Sequence, residues 1–231
     1  MSEQRGRYVR VEGCDGAGKT TQIRHLQEYS EEKGIDAVFL REPGATHFGG
    51  IIRSIILTDH TVHLSPMTEL LLFTSDRNHT CEEIIMPALG KDQLVVSDRG
   101  LESTVNYQSA GGGLSKETIM SISREVLPAR YIYPDTLALL SITKETRRKR
   151  LGRRFTQVEA DKIESRDDGY ADRVYDGYQA LGELDYTTVI DGNVDEDQVF
   201  EQLKPVVFGQ YLRDHTGIYL PTHTAYSTHN T

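Results

Sequence analysis

The sequence predicts an α/β fold: a five-stranded parallel sheet with helices on both faces. Two observations predict it. Short apolar runs of strand length alternate with segments of helix length along most of the chain. That alternation is what a parallel sheet with crossover helices requires. Some runs, Leu94-Val95-Val96 above all, are apolar at consecutive positions, as in strands covered on both sides. Taken in order, Tyr8-Val9-Arg10-Val11 is the first strand and ends at a glycine-rich turn. A helix comes next, from Lys19 to Lys33, stopped by Gly34, a residue suited to a left-handed helix end. Ala37-Val38-Phe39-Leu40 is the second strand; Ile51 to Leu57 and Glu69 to Leu89 are helical. The third strand is Leu94 to Ser97 and the fourth Leu137 to Ile142. The fifth is Thr187 to Ile190, closed by Asp191-Gly192.

The 231 residues fit one domain with an appendage. Residues 1–212 are expected to form the domain, with a mobile lid at about 150–162. Residues 214–231 carry one charged side chain and many Thr and His, and the segment 213–231 is expected to form a poorly ordered tail. Lys plus Arg number 26 against 35 Asp plus Glu, a net charge of −9, which argues against a general nucleic-acid binder. Two cysteines, Cys14 and Cys81, cannot build a disulfide framework or a four-ligand zinc site. The opening residues hold no apolar signal core, and no stretch approaches the roughly 18 apolar residues of a membrane span. The expectation is a soluble cytoplasmic protein with no membrane partner.

In open parallel sheets the ligand lies beyond the carboxyl ends of the strands. After the first strand comes Gly13-Cys14-Asp15-Gly16-Ala17-Gly18-Lys19-Thr20, a phosphate-binding loop of the form G-x-x-x-x-G-K-[ST]. Its glycines let backbone N–H groups curl around phosphate oxygens, and the helix opening at Lys19 adds its positive end. Lys19 is placed to reach the β/γ-phosphates and Thr20 to hold Mg²⁺, with Thr21 beside them. After the second strand stands Arg41-Glu42-Pro43-Gly44. Arg41 suits a second anion, or is an ordinary surface ion pair. After the third comes Ser97-Asp98-Arg99, suited to organising Mg²⁺ and the transferring phosphoryl group, or to a buried structural pair.

Phe73 and Arg77 are four apart on a helix, so they share a face. An aromatic ring and a cation there suit a flat base with acceptor oxygens; a core Phe with a surface Arg is the plain alternative. In Ser103-Thr104-Val105-Asn106-Tyr107-Gln108, Ser103 and Tyr107 share one face and Thr104 and Gln108 the next. Gln108 offers the donor and acceptor a pyrimidine edge needs. Residues 147–154 carry six basic side chains in eight. Gly152 is expected to end the helix there, leaving Arg153 and Arg154 in a lid loop that closes over the nucleotide phosphates. His60-x-x-His63 is read as two polar turn residues, and Cys14 as small filler.

These pieces in this order resemble the bacterial-type thymidylate kinases of the nucleoside-monophosphate kinase group, over about residues 7–205. The resemblance rests on the loop from Glu12 to Thr21, Arg41-Glu42-Pro43-Gly44, Phe73 with Asp76-Arg77, Ser97-Asp98-Arg99, Tyr107-Gln108 and Pro134-Asp135. It implies transfer of the ATP γ-phosphoryl to dTMP with Mg²⁺, in a homodimer. Lys19 and Thr20 would hold ATP and metal, and Asp15 the acceptor's 3′-hydroxyl. Arg41 and Arg99 would hold the acceptor phosphate, and Asp98 would organise metal and phosphates. Phe73 would stack on thymine, while Arg77 and Gln108 bond its edge and Tyr107 disfavours a 2′-hydroxyl. Gly100 stands where family members carry an aromatic or His, which implies space beside the acceptor and looser choice of base or sugar. The alternative is therefore a kinase that also accepts other deoxynucleoside monophosphates. The lid is about three residues longer than usual and reads Asp161-Lys162 where an Asp-Arg pair is usual. A GTP switch would need an Asn-Lys-x-Asp reader, and the chain has no Asn-Lys pair.

Overall fold

The computed structural model describes residues 6–58, 61, 63–154 and 168–221. In chain order the elements are β1 (Arg7–Glu12), α1 (Lys19–Lys33), β2 (Ala37–Arg41), α2 (His47–Arg53), α3 (Pro66–Thr80), α4 (Met86–Gly90), β3 (Leu94–Asp98), α5 (Leu101–Thr104), α6 (Lys116–Val126), α7 (Ala129–Ile132), β4 (Thr136–Ser141), α8 (Lys144–Arg154), α9 (Asp168–Ala180), β5 (Thr187–Asp191) and α10 (Glu196–Thr216). The sheet has five strands in the order β2-β3-β1-β4-β5, and every pairing is parallel. The predicted α/β architecture is thus present.

The two faces are visible in side-chain alternation. Val9, Val11, Leu94 and Val96 join one apolar core, whereas Tyr8 and Val95 join the other, as period-two strands between two helical layers must. The helix ends obey local chemistry. Gly34 ends α1 at φ 63°. Ser65 caps α3 by accepting from the Thr68 N–H, with Pro66 at the first helical position. Asp195 caps α10 in the same way through Gln198.

Three expectations are corrected. The helix expected over Glu69 to Leu89 begins earlier, at Pro66, and passes through a π-helical stretch, Cys81–Ile85, into α4. Gly152 does not end α8: the helix runs through it to Arg154, because one exposed glycine costs a helix only about 1 kcal/mol. Arg153 and Arg154 therefore lie in its last turn rather than in a loop. Finally, α10 continues to Thr216, past the expected domain end at 212, and Leu220 packs against the core. The rest of the expected lid, 155–162 with Asp161-Lys162, His60, and the tail from 222 onward lie outside the described residues.

Register places the site. Val11 pairs with Asp98, and Arg41 pairs with the same residue from the other side. The carboxyl ends of β1, β3 and β2 thus finish in one row, and the loops that leave these strands converge on a single place.

Candidate active site

A cavity of about 530 Å³ opens above that row. The phosphate loop forms one end, through Asp15, Gly16, Gly18, Lys19, Thr20 and Thr21. Gly13 (φ 152°) anchors the loop from below: a Cβ there would stand 2.7 Å from the Leu140 carbonyl oxygen, so only glycine fits. Ala17 is buried and its N–H donates to the Cys14 carbonyl at 3.1 Å, tightening the turn. Lys19 Nζ donates to the carbonyls of Gly13 (2.6 Å) and Cys14 (3.1 Å). Burial, then the nearby Arg99 charge, lowers its pKa. Burial raises that of Cys14, which keeps the thiol protonated and inert.

The opposite wall is built by α3 and the residues after β3. Phe73 and Arg77 both face the cavity, as their spacing predicts, with Ser103, Thr104, Tyr107 and Gln108 beside them. Phe73 is also part of the apolar core. Arg77 is fixed on three sides: Nε donates to Glu42 Oε2 (3.0 Å), and Nη2 donates to the Gly100 carbonyl and Thr104 Oγ1 (both 3.1 Å). Its Nη1 is buried and has no hydrogen-bond partner among the described residues. Gln108 is fully buried; its Nε2 donates to Glu69 Oε2 at 3.2 Å, and its Oε1 likewise has no partner among them. Thr104 thus both lines the cavity and holds Arg77.

Between the two ends lie the charges. Arg99 pairs with Asp15 through Nη2, while Nη1 donates to Ser103 Oγ (3.2 Å) and Tyr178 Oη (3.0 Å). Tyr107 Oη donates to Asp15 Oδ2 at 2.7 Å. Burial alone would raise the Asp15 pKa; Arg99 and Lys19, with the Tyr107 and Arg99 hydrogen bonds, outweigh it and hold the carboxyl well below the usual range. Arg99 sits at φ 74°, a region costly for a side chain with a Cβ. Glu12 stabilises that turn by accepting from the N–H groups of Gly100 (2.8 Å) and Ser103 (3.1 Å) and from Ser103 Oγ (2.9 Å). Arg41, half exposed, stands 3.7 Å from Asp98 Oδ2, and Asp98 Oδ1 is buried without a partner among the described residues. Pro43 lines the cavity between them and Arg53, whose Nη1 donates to the Pro43 carbonyl at 3.0 Å.

The space expected beside Gly100 is absent. A Cβ on Gly100 would lie 2.5 Å from Arg10 Cδ. Arg10 is fully buried, its Nη1 bonded to both oxygens of Glu102 (2.7 and 2.8 Å) and its guanidinium 4.4 Å from the centre of the Tyr131 ring. The volume that an aromatic would take is filled from β1.

Among the described side chains of the basic cluster, the one that lines the cavity is Arg150. Its Nη1 donates to the Gly16 carbonyl (3.2 Å) and its Nη2 to that of Gly192 (2.8 Å). A signal for it exists: Leu151, the one apolar side chain of the cluster, is buried and turns the neighbouring Arg150 toward the loop. Glu12, Glu42, Arg53 and Tyr178 carry no such signal, because their partners are distant in sequence.

Fold and site together define a P-loop phosphotransferase with an aromatic wall opposite its phosphate loop. The thymidylate kinase family model matches residues 11–203. Relatives described as thymidylate kinase include one from Exiguobacterium sibiricum, 36% identical over 190 residues (81% of this chain, 87% of that one). Another, from Caldanaerobacter subterraneus, is 36% identical over 178 residues (77% and 82%), and a third, from Alkalilimnicola ehrlichii, 38% over 180 residues (78% and 81%). The chain belongs to the thymidylate kinase family.

Proposed function

We propose that the protein transfers the γ-phosphoryl group of ATP to dTMP in the cavity between the phosphate loop and the Phe73 wall. The observation that carries this reading is the pair of unused polar atoms on that wall. Arg77 Nη1 is a donor and Gln108 Oε1 an acceptor, both without partners among the described residues, on two residues that line the same cavity as Phe73. Thymine presents a matching acceptor at O4 and donor at N3–H, with a flat face for Phe73. Cytosine presents the opposite polarity.

Phosphoryl transfer asks the protein for in-line positioning and positive charge around the equatorial oxygens. Arg41 and Arg99 hold the acceptor phosphate, which is already anionic and needs no general base. Lys19 leaves the Gly13 and Cys14 carbonyls for the donor phosphates, and Arg150 adds charge on the loop side. Tyr107, fixed by Asp15, lies along the sugar. Thr20 and the unpartnered oxygen of Asp98 are hard donors that suit Mg²⁺ and would hold it. There the metal would supply positive charge to the donor phosphates. Arg153 and Arg154, at the end of α8, supply the lid charge. The looser specificity implied by Gly100 loses its basis, since Arg10 occupies the space.

ADP release measured across dTMP, dUMP, dCMP and dGMP tests the proposal. A strong preference for dTMP is expected; equal rates with dTMP and dGMP would overturn it. Lys19→Ala should abolish turnover while the circular dichroism spectrum stays unchanged, and retained activity would remove the loop assignment. We also propose a homodimer, on the exposed Phe48 and Ile51 of α2 and Met67 and Leu71 of α3, two helices that pack on each other.

A further inference from the structure

The amide of Gln108 can bind a base edge in either of two orientations, and only one suits thymine. With Oε1 toward the cavity it accepts from N3–H; turned over, it offers N–H₂ to a group that also donates. Nothing in a glutamine prefers one orientation, so a neighbour must choose. The residue on the far side of the amide is Glu69. Its carboxylate is an acceptor only, it is buried (5% exposed), and Oε2 takes the Gln108 Nε2 hydrogen at 3.2 Å. Glu69 lies in the first turn of α3, where the helix field favours a carboxylate. If the amide turned over, two oxygens would face each other in a buried site, and the cavity would be lined by donors from both Gln108 and Arg77.

We propose that Glu69 is a positioning residue for base choice: it fixes the polarity of the Gln108 amide and thereby makes the wall select a pyrimidine with a donor at N3. The proposal rests on the reading of Arg77 and Gln108 as base-edge partners, but it assigns the discrimination to a residue that does not line the cavity. It also fits the sequence spacing. Glu69, Phe73 and Arg77 stand at four-residue intervals on α3, so one helix face supplies the stacking ring, the fixed donor and the group that orients the acceptor.

Glu69→Gln is the informative change. It keeps size and hydrogen bonding but can donate as well as accept, so the Gln108 amide is no longer held in one orientation. The ratio of kcat/KM for dTMP to that for dCMP should fall by roughly ten- to a hundredfold, the cost of an unsatisfied buried polar group, with the KM for ATP unchanged. Glu69→Asp, which retains an acceptor-only group, should keep most of the ratio. If Glu69→Gln fails to fold, Glu69→Ala should give the same loss of ratio, because water entering the space both donates and accepts. An unchanged dTMP:dCMP ratio in a folded Gln or Ala variant overturns the proposal, as does an equal fall for both substrates. Gln108→Leu separates this from failure of the base-edge reading. If it collapses the ratio while Glu69→Gln does not, only the role of Glu69 is wrong. If it leaves the ratio intact, Gln108 does not read the base at all.

Discussion

At the scale of single residues, the site is an assembly of buried charges that constrain one another. Arg77 is the clearest instance, giving three hydrogen bonds to protein groups and keeping one buried nitrogen without a partner among the described residues. Arg77→Ala should weaken dTMP binding by about 1.5–3 kcal/mol, the range for a charged hydrogen bond, with little change for ATP; titration calorimetry with each nucleotide checks this. Gly100 gives a second prediction. Alanine there would drive a Cβ into the pinned Arg10 side chain, and overpacking of this kind costs about 1–3 kcal/mol. Urea denaturation should show that loss. It should shrink in an Arg10→Met, Glu102→Leu background, where both charges of the buried pair are gone. Asp76 supplies a pH dependence. Burial first, and then the Glu42 charge, push its carboxyl up to about 6. The folded protein then keeps a proton that the unfolded chain has already lost, so stability falls as pH rises from about 4 to 6 and the penalty is complete above that. Asp76→Asn should be more stable than the parent at pH 8 by up to about 3 kcal/mol, and no more stable at pH 4.

At the scale of elements, the sequence makes legible what depends on neighbours along the chain. The phosphate loop, the Gly34 stop and the Phe73–Arg77 face all rest on spacings of a few residues. The groups that hold the site in shape do not. Glu12 meets Ser103, Glu42 meets Arg77, and Tyr178 of α9 meets Arg99, each across the sheet or between helices, and no local pattern encodes such pairings. Gly152 shows the converse error. A residue with poor helix propensity reads as a stop, but the packing of Leu151 carries α8 through it. The cation this delivers to the loop is Arg150, one turn earlier than expected. Arg150→Ala should therefore raise the KM for ATP more than that for dTMP, measured by initial rates with each substrate varied in turn.

At the scale of the whole molecule, the parallel sheet and the two-sided core are legible, because alternation and apolar runs encode them. An acidic protein with a net charge of −9 still gathers Arg41, Arg77, Arg99 and Arg150 around one cavity, so local potential rather than net charge governs what enters. The outer surface of α2 and α3 is a different matter, because exposed apolar residues gain meaning only once the helices are seen side by side. On the proposed homodimer, Leu71→Lys should shift the sedimentation in analytical ultracentrifugation from dimer to monomer.

The pairing of Arg99 with Asp15 means that, on the proposed reading of Arg99 as the receptor for the incoming phosphate, that receptor already has a tenant. On that reading an arriving anion does not meet a bare cation but competes with a carboxylate, and its affinity would be the difference between two attachments. Removing the tenant with Asp15→Asn should make the empty enzyme hold inorganic phosphate more tightly while it turns over more slowly. A weaker grip in the resting protein is the expected consequence of that competition.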